Sequence, residues 1–340
     1  MDNKSCTSSR SPGDAEGEPV AKKSRLVLKT IIYDESVANQ WLDEPPLEVW
    51  DHKIIPLLSL KDLALARPVC TFFEAYWQEK FSNNALPLRV GNDVATIDDV
   101  MGVIEILSSR REYTKLNPFI VLLGKGDHQI TSSWTDQYGD EFATTLGITR
   151  NNITFVGTGI DTTTILGGFD ISHQQNIILE KMTVTNNFTP TNSKILEIES
   201  TGITINDSIV ELVDVAFIKC RNCGINTVGD ENLKDTEQVV LTRCQFSENA
   251  FGIWANDDSN IKMTDCVIKN NREDGLVAFG CTVNVHGEAT SIHSNVQHGV
   301  SAWGTAKVLI HLPSHHNTIY NNGDEDRDTE DGGTITNVED

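Results

Sequence analysis

The chain has 340 residues, enough for one repeat domain of ordinary size plus a small second unit. Its formal net charge is -22, and such a surface repels phosphates and anionic lipids, so neither nucleic acid nor membrane is expected as a partner. It has seven cysteines and no apolar leader in its first 20 residues, so the expectation is reduced thiols in a cytoplasmic and/or nuclear setting.

Residues 1–28 are Ser, Gly, Pro and charge with little to bury, and read as a disordered tail. Within it PVAKKSRL (Pro19–Leu26) is a short basic cluster that fits a nuclear import signal, or equally a chance basic patch. Residues 40–85 change character. Val49, Ile54, Leu57, Leu58, Leu63, Ala66, Val69, Phe72, Phe73, Tyr76 and Trp77 fall at helical spacings, and Pro68 sits at a helix start. Three short helices in so few residues cannot bury a core of their own, so this head must pack on something else.

The head resembles the F-box. Pro46 and Glu48 match the opening of that motif, Ile54 and Leu57 its paired apolar segment, and Asp62 and Leu63 its Asp-Leu step, shifted by one residue near Pro56. Val69 and Cys70 match its Val-Cys step, and Phe73 stands where the family carries Trp. The resemblance implies that Pro46, Ile54, Leu57, Leu63, Val69, Cys70 and Phe73 contact a Skp-type adaptor and, through it, a cullin ligase.

Residues 92–115 form a linker and a helix. TIDDVMGVIEIL (Thr96–Leu107) is amphipathic, with a Thr cap and two aspartates in its first turn, and would close the open end of whatever follows. From 117 to 322 the chain repeats itself. Val239–Asn256 and Ile261–Phe279 share one grammar, with Cys244 matching Cys266, Phe246 matching Ile268, Asn249 matching Asn271 and Gly252 matching Gly275. A further copy carries Thr290, Ile292, Asn295 and Gly299, and upstream Leu212, Val215 and Phe217, then Leu179, Met182, Val184 and Asn187, enter the same register. The step of about 22 to 29 residues is that of a solenoid. Short alternating runs rich in Val, Ile and Thr make the unit a strand. A leucine-rich repeat has a similar period, but leucine is scarce here and its helical half is missing.

The expected fold is therefore mainly β: a parallel β-helix preceded by the helical head and the capping helix. In it Val184, Phe217, Phe246, Ile268 and Ile292 stack as a core column, about 4.8 Å apart. Asn187, Asn249, Asn271 and Asn295 make an asparagine column, interrupted at Cys220. FIVLLGKGDHQI (Phe119–Ile130) and NITFVGTG (Asn152–Gly159) resemble the first two coils of pectin-lyase-like, right-handed β-helices. Residues 323–340 form an acidic segment, with six carboxylates between Asp324 and Asp331, and read as a solvated loop or tail.

Pectin-lyase-like folds include polygalacturonide-cleaving enzymes, which need paired carboxylates on one face. Asn256–Asp258 and Gln297–Gly299 are similar to pieces of polygalacturonase motifs, but Gly280–Thr282 holds no second aspartate pair. No carboxylate cluster for calcium stands beside Arg221 or Arg272. Cys220 and Cys223 have no second pair to complete a metal site, and His315 and His316 read as a loop. No catalytic residue, cofactor or metal is expected. Alternation places Ile253, Leu276, Val300, Ala255, Ala278 and Ala302 inward, and Trp254, Phe279 and Trp303 outward as a target-binding patch. Together with the F-box resemblance this implies the substrate receptor of a Skp–cullin–F-box ubiquitin ligase, holding a target protein of basic character. The alternatives are a carbohydrate-active β-helix and an interaction scaffold outside any ligase.

Overall fold

The computed structural model describes residues 87–109, 112–135, 141–187, 200–233, 235–311 and 318–339. They form a parallel β-helix. One long sheet runs down the solenoid in order from Leu88–Arg89 through Phe119–Leu122, Ile153–Val156, Ile177–Thr185, Val210–Ile218 and Val239–Thr242 to Asn260–Thr264, Thr282–His286, Lys307–His311 and Thr334–Val338. A second sheet faces the other way, from Thr145–Ile148 through Gly168–Ser172, Ile203–Asn206, Cys223–Val228, Phe251–Asn256, Leu276–Phe279 and Val300–Trp303 to Arg327–Glu330. All pairings within these two sheets are parallel, while Ser133–Thr135 and Glu141–Ala143 form a separate antiparallel pair. Strands continue beyond residue 322, so the acidic stretch after Asn322 is a turn and a strand of the last coil rather than a tail.

The core column is in register as the repeat implies. Val184 pairs Phe217, Phe217 pairs Phe246, Phe246 pairs Ile268, and Ile268 pairs Ile292, which pairs Ile319. The rings of Phe217 and Phe246 stack at 5.4 Å with their planes nearly parallel. Cys244 and Cys266 occupy one column: Val267 N–H donates to Cys244 O, and both thiols are fully buried.

Beside this column runs a polar one that satisfies itself. Asn271 Oδ1 accepts from the backbone N–H of Asn249 at 3.1 Å and from Asn249 Nδ2 at 3.2 Å. Asn271 Nδ2 donates to Phe246 O and to Asn295 Oδ1. Asn322 continues the ladder, and Asp326 Oδ1 accepts from its N–H and its Nδ2. At the other end the Cys220 N–H donates to Asn249 Oδ1 at 2.8 Å. Asn187 is not a rung: it is exposed, and its neighbour Asn186 is the buried amide, donating to Thr201 O. At the same corner a Cβ on Gly275 would lie 2.6 Å from both Asn295 Nδ2 and the Gly299 carbonyl, so the ladder and the glycines require one another.

A second bend is built from charge. Lys181, Asp214, Arg243 and Asp265 all have left-handed backbone and alternate in sign from coil to coil. Arg243 grips Asp214 with Nε and Nη2 at 2.7 and 2.8 Å, which holds the Asp214 carboxyl below its ordinary range.

The helix Asp99–Ser108 buries Val100, Val103, Ile104 and Leu107 against the first coil. Its N-cap is Asp98, whose carboxylate does not cap the helix but accepts from Thr131 and Ser132, pinning the helix to the solenoid. Thr96 instead donates its hydroxyl to Asp99 at 3.0 Å.

The expected three-helix head requires correction. Residues 40–85, and with them Pro46, Ile54, Leu57, Leu63, Val69, Cys70 and Phe73, lie outside the described residues. Among the described residues there is one α-helix, Asp99–Ser108, and it is a cap on the solenoid. Among the described residues the fold class is a mainly-β parallel β-helix, and no F-box-like head is part of it.

Two outcomes follow from this packing. Asn271→Ala strands several buried partners, each worth about 1–3 kcal/mol, and should lower the unfolding free energy by about 3 kcal/mol in a urea titration. Val296→Ala, at a side chain 63% exposed, should cost under about 0.5 kcal/mol. Five of the seven cysteines, Cys220, Cys223, Cys244, Cys266 and Cys281, are buried. Burial pushes Cys220, Cys223 and Cys281 up to about 12, so their thiolates are scarce at neutral pH. At pH 8 a thiol reagent should therefore titrate no more than two cysteines in the folded chain and seven after denaturation; fast reaction of a third would contradict the packing.

Candidate functional site

The outward face of the second sheet gathers the aromatic side chains. Along it Asn226, Trp254, Val277, Ser301 and Asp328 form one register column, and Val228, Asn256, Phe279, Trp303 and Glu330 the next but one. The inward positions between them, Ile253, Ala255, Leu276, Ala278, Val300 and Ala302, are completely buried. Small alanines on the inner side let the two sheets approach, while the outer side carries the bulk.

Trp254 is held from three sides. Its Nε1 donates to Asn256 Oδ1 at 2.7 Å, and Asn256 in turn donates to Asn226 Oδ1. The ring of Phe251 meets it edge-on at 4.6 Å, and the ring of Trp303 edge-on at 6.4 Å. The two indoles meet although two coils separate their strands, so they span the intervening coil, and Val277 and Ser301 are fully buried despite pointing outward. Phe279 is 43% exposed and Val228 37%, while Trp254 and Trp303 are half-buried. Trp303 Nε1 is buried and has no hydrogen-bond partner among the described residues.

The structure thus brings Trp254, Phe279 and Trp303 together on neighbouring coils. Sequence reasoning missed Phe251 and Val228. Phe251 precedes the corner Gly252, a position the repeat grammar leaves open, so only the fold shows that it abuts Trp254.

Beside the strip lies a buried polar cluster. Asp274 Oδ1 accepts from His298 N–H at 2.8 Å and lies 3.1 Å from His298 Nδ1, while Asp274 Oδ2 accepts from Ser301 Oγ at 3.2 Å. Asp274 is 4% exposed at its side chain. Both of its oxygens are occupied, which makes it a clamp between coils. Asp257 and Asp258 sit at the turn before Ser259, where Asp258 has left-handed backbone and Gly280 closes onto Asp257. His315 and His316 lie outside the described residues. Cys220 and Cys223 are buried thiols, not an exposed redox pair.

Comparison with known proteins bears on the solenoid. A family model described as the right handed beta helix region matches residues 120–324. Among solved structures, the A-module of Azotobacter vinelandii mannuronan C-5 epimerase AlgE4 is similar at 13% identity, over 64% of this chain and 88% of that one, with a TM-score of 0.28. The A-module of the AlgE6 epimerase from the same organism is similar at 12% identity, over 66% and 91%, with a TM-score of 0.24. At this similarity neither tells anything of the chain's activity. Comparison with curated proteins finds no match.

These findings correct the ligase-receptor reading. The family match falls on the β-helix and not on an F-box, and the one described helix caps the solenoid. The Skp adaptor and the cullin ligase are withdrawn as partners. With more than half its length matched, the chain belongs to the right-handed β-helix family.

Proposed function

We propose that this chain is a carbohydrate-binding β-helix, which holds a glycan along the strip formed by Phe251, Trp254, Phe279 and Trp303. The observation that carries the reading is the juxtaposition of these rings on the outer face of adjoining coils, with Trp254 and Trp303 edge-on at 6.4 Å. A pyranose ring presents an apolar face of C–H groups that packs on such rings, while its hydroxyls need donors and acceptors at the margin. The carboxamides of Asn226 and Asn256, half-buried at the edge of the rings, stand at that margin. Spacing along the solenoid favours a polymer: equivalent positions recur about every 4.8 Å, so a chain of sugars meets successive coils.

Charge selects among glycans. The strip ends at Asp328 and Glu330, the register partners of Ser301 and Trp303, and the chain as a whole carries -22. A neutral glycan suits this surface better than a polyuronate, which it would repel. Recognition rather than cleavage is the role proposed. Glycoside hydrolysis needs one carboxyl free to protonate the leaving oxygen and a second to act across the bond. Asp274, the buried carboxylate beside the strip, has both oxygens engaged by His298 and Ser301.

The test is calorimetric titration of the full chain with neutral gluco-, manno- and xylo-oligosaccharides. Trp254→Ala and Trp303→Ala should each weaken binding of whichever series binds by about tenfold, or ~1.4 kcal/mol, with the far-UV spectrum unchanged. Binding that survives the loss of both indoles, or the appearance of new reducing ends on prolonged incubation, would overturn this reading.

A further inference from the structure

A second feature is independent of the aromatic strip. At the asparagine-ladder corner lies an open cleft of about 550 Å³, lined in part by Lys219, Arg221 and Arg272. Among the described residues Glu248 is the one carboxylate lining it, and the amides of Asn187 and Asn270 complete the polar rim. Three cations against one anion is an inverted balance for a chain of net charge -22.

The three cations differ in how they are held. Arg272 is fixed: it reaches back across two coils, its Nε donating to Asn249 O at 3.4 Å and its Nη2 to Arg221 O at 2.5 Å. It therefore ties down carbonyls at the bend where Cys220 interrupts the ladder, and this structural duty accounts for Arg272. It does not account for the other two. Lys219 lies 3.7 Å from Glu248 in a loose contact, with both side chains more than half exposed. Arg221 makes no side-chain hydrogen bond or ion pair among the described residues, although Glu248 is close by in the same cleft. An exposed guanidinium and a loosely held lysine beside a fixed guanidinium, with two amides at the rim, are the donor set of an oxyanion site. A planar guanidinium presents two parallel N–H groups to a tetrahedral anion, and a lysine adds a point charge.

We propose that this corner binds a compact oxyanion of the phosphate or sulfate type, with Arg272 as the anchored donor and Arg221 and Lys219 closing on it. Cys220, which also lines the cleft, takes no part as a nucleophile, because burial keeps its thiol protonated.

The full chain is titrated calorimetrically with sodium sulfate and with sodium phosphate, ionic strength being held constant with chloride. Saturable binding at one site is expected, with Kd about 1 mM or tighter, and Arg221→Gln should weaken it at least tenfold. Arg221 engages no other side chain among the described residues, so this variant should melt with the wild type. Lys262→Gln, which removes a cation paired to Glu237 on the first sheet, should bind as the wild type does. A parallel arm compares glucose 6-sulfate with glucose. Tighter binding of the sulfate ester than of inorganic sulfate assigns the site to an anionic group carried on a sugar; equal or weaker binding assigns it to the free ion. Heats no larger than those of chloride, or full binding by Arg221→Gln, would overturn the proposal. Trp254→Ala should leave sulfate binding unchanged, so failure of the glycan reading and failure of this one are separable.

Discussion

Every coil of this protein must lie in register on the coil before it, and the other features are consequences. In a parallel stack each side chain has its own equivalent as its nearest neighbour, about 4.8 Å away. Apolar residues accept this readily, and Phe217 on Phe246 shows how well rings do so. A buried polar residue survives only if it can donate to one neighbour and accept from the other. Asparagine meets that demand, which is why the ladder from Asn249 to Asn295 is buried without loss. A charged column survives by alternating its sign, as Lys181, Asp214, Arg243 and Asp265 do.

The same constraint shapes the surfaces. Because equivalent positions line up, one outward aromatic per coil becomes a strip, and cations on coils two apart meet around one cleft. The cluster of Lys219, Arg221 and Arg272 and the strip of Trp254, Phe279 and Trp303 lie on overlapping coils, with Arg272 just before the strand that carries Phe279. Their rigidity comes from the ladder and the glycine corner between them, where Gly275 leaves no space for a side chain. A ligand on the strip would meet groups already fixed, which lowers the entropy lost on binding.

How much of this was legible in the sequence depends on which groups do the pairing. The core column, the cysteine pair and the three inner rungs of the asparagine ladder could be read because each repeats at a constant offset from its glycine. The outward direction of Trp254, Phe279 and Trp303 followed from strand alternation. The first rung was misread as Asn187 because the coil containing Asn186 turns one residue early, a difference that spacing alone does not reveal. Asn322 was overlooked because acidic residues follow it and read as a tail, although Asp326 completes the ladder there. The helix cap was misassigned because Asp98 finds its partners in Thr131 and Ser132, 33 and 34 residues away. The F-box resemblance failed for a different reason. A few apolar residues at helical spacing fit many short helical motifs, and the family match rests instead on the repeats.

The central claim is that the aromatic strip is a ligand surface. The most direct measurement is an NMR titration of the indole N–H resonances of the six tryptophans with a neutral hexasaccharide. The account predicts that the signals of Trp254 and Trp303 move together and saturate at one concentration, while those of Trp41, Trp50, Trp77 and Trp134 stay in place. Saturable shifts confined to any of the latter four, with Trp254 and Trp303 unmoved, would contradict it.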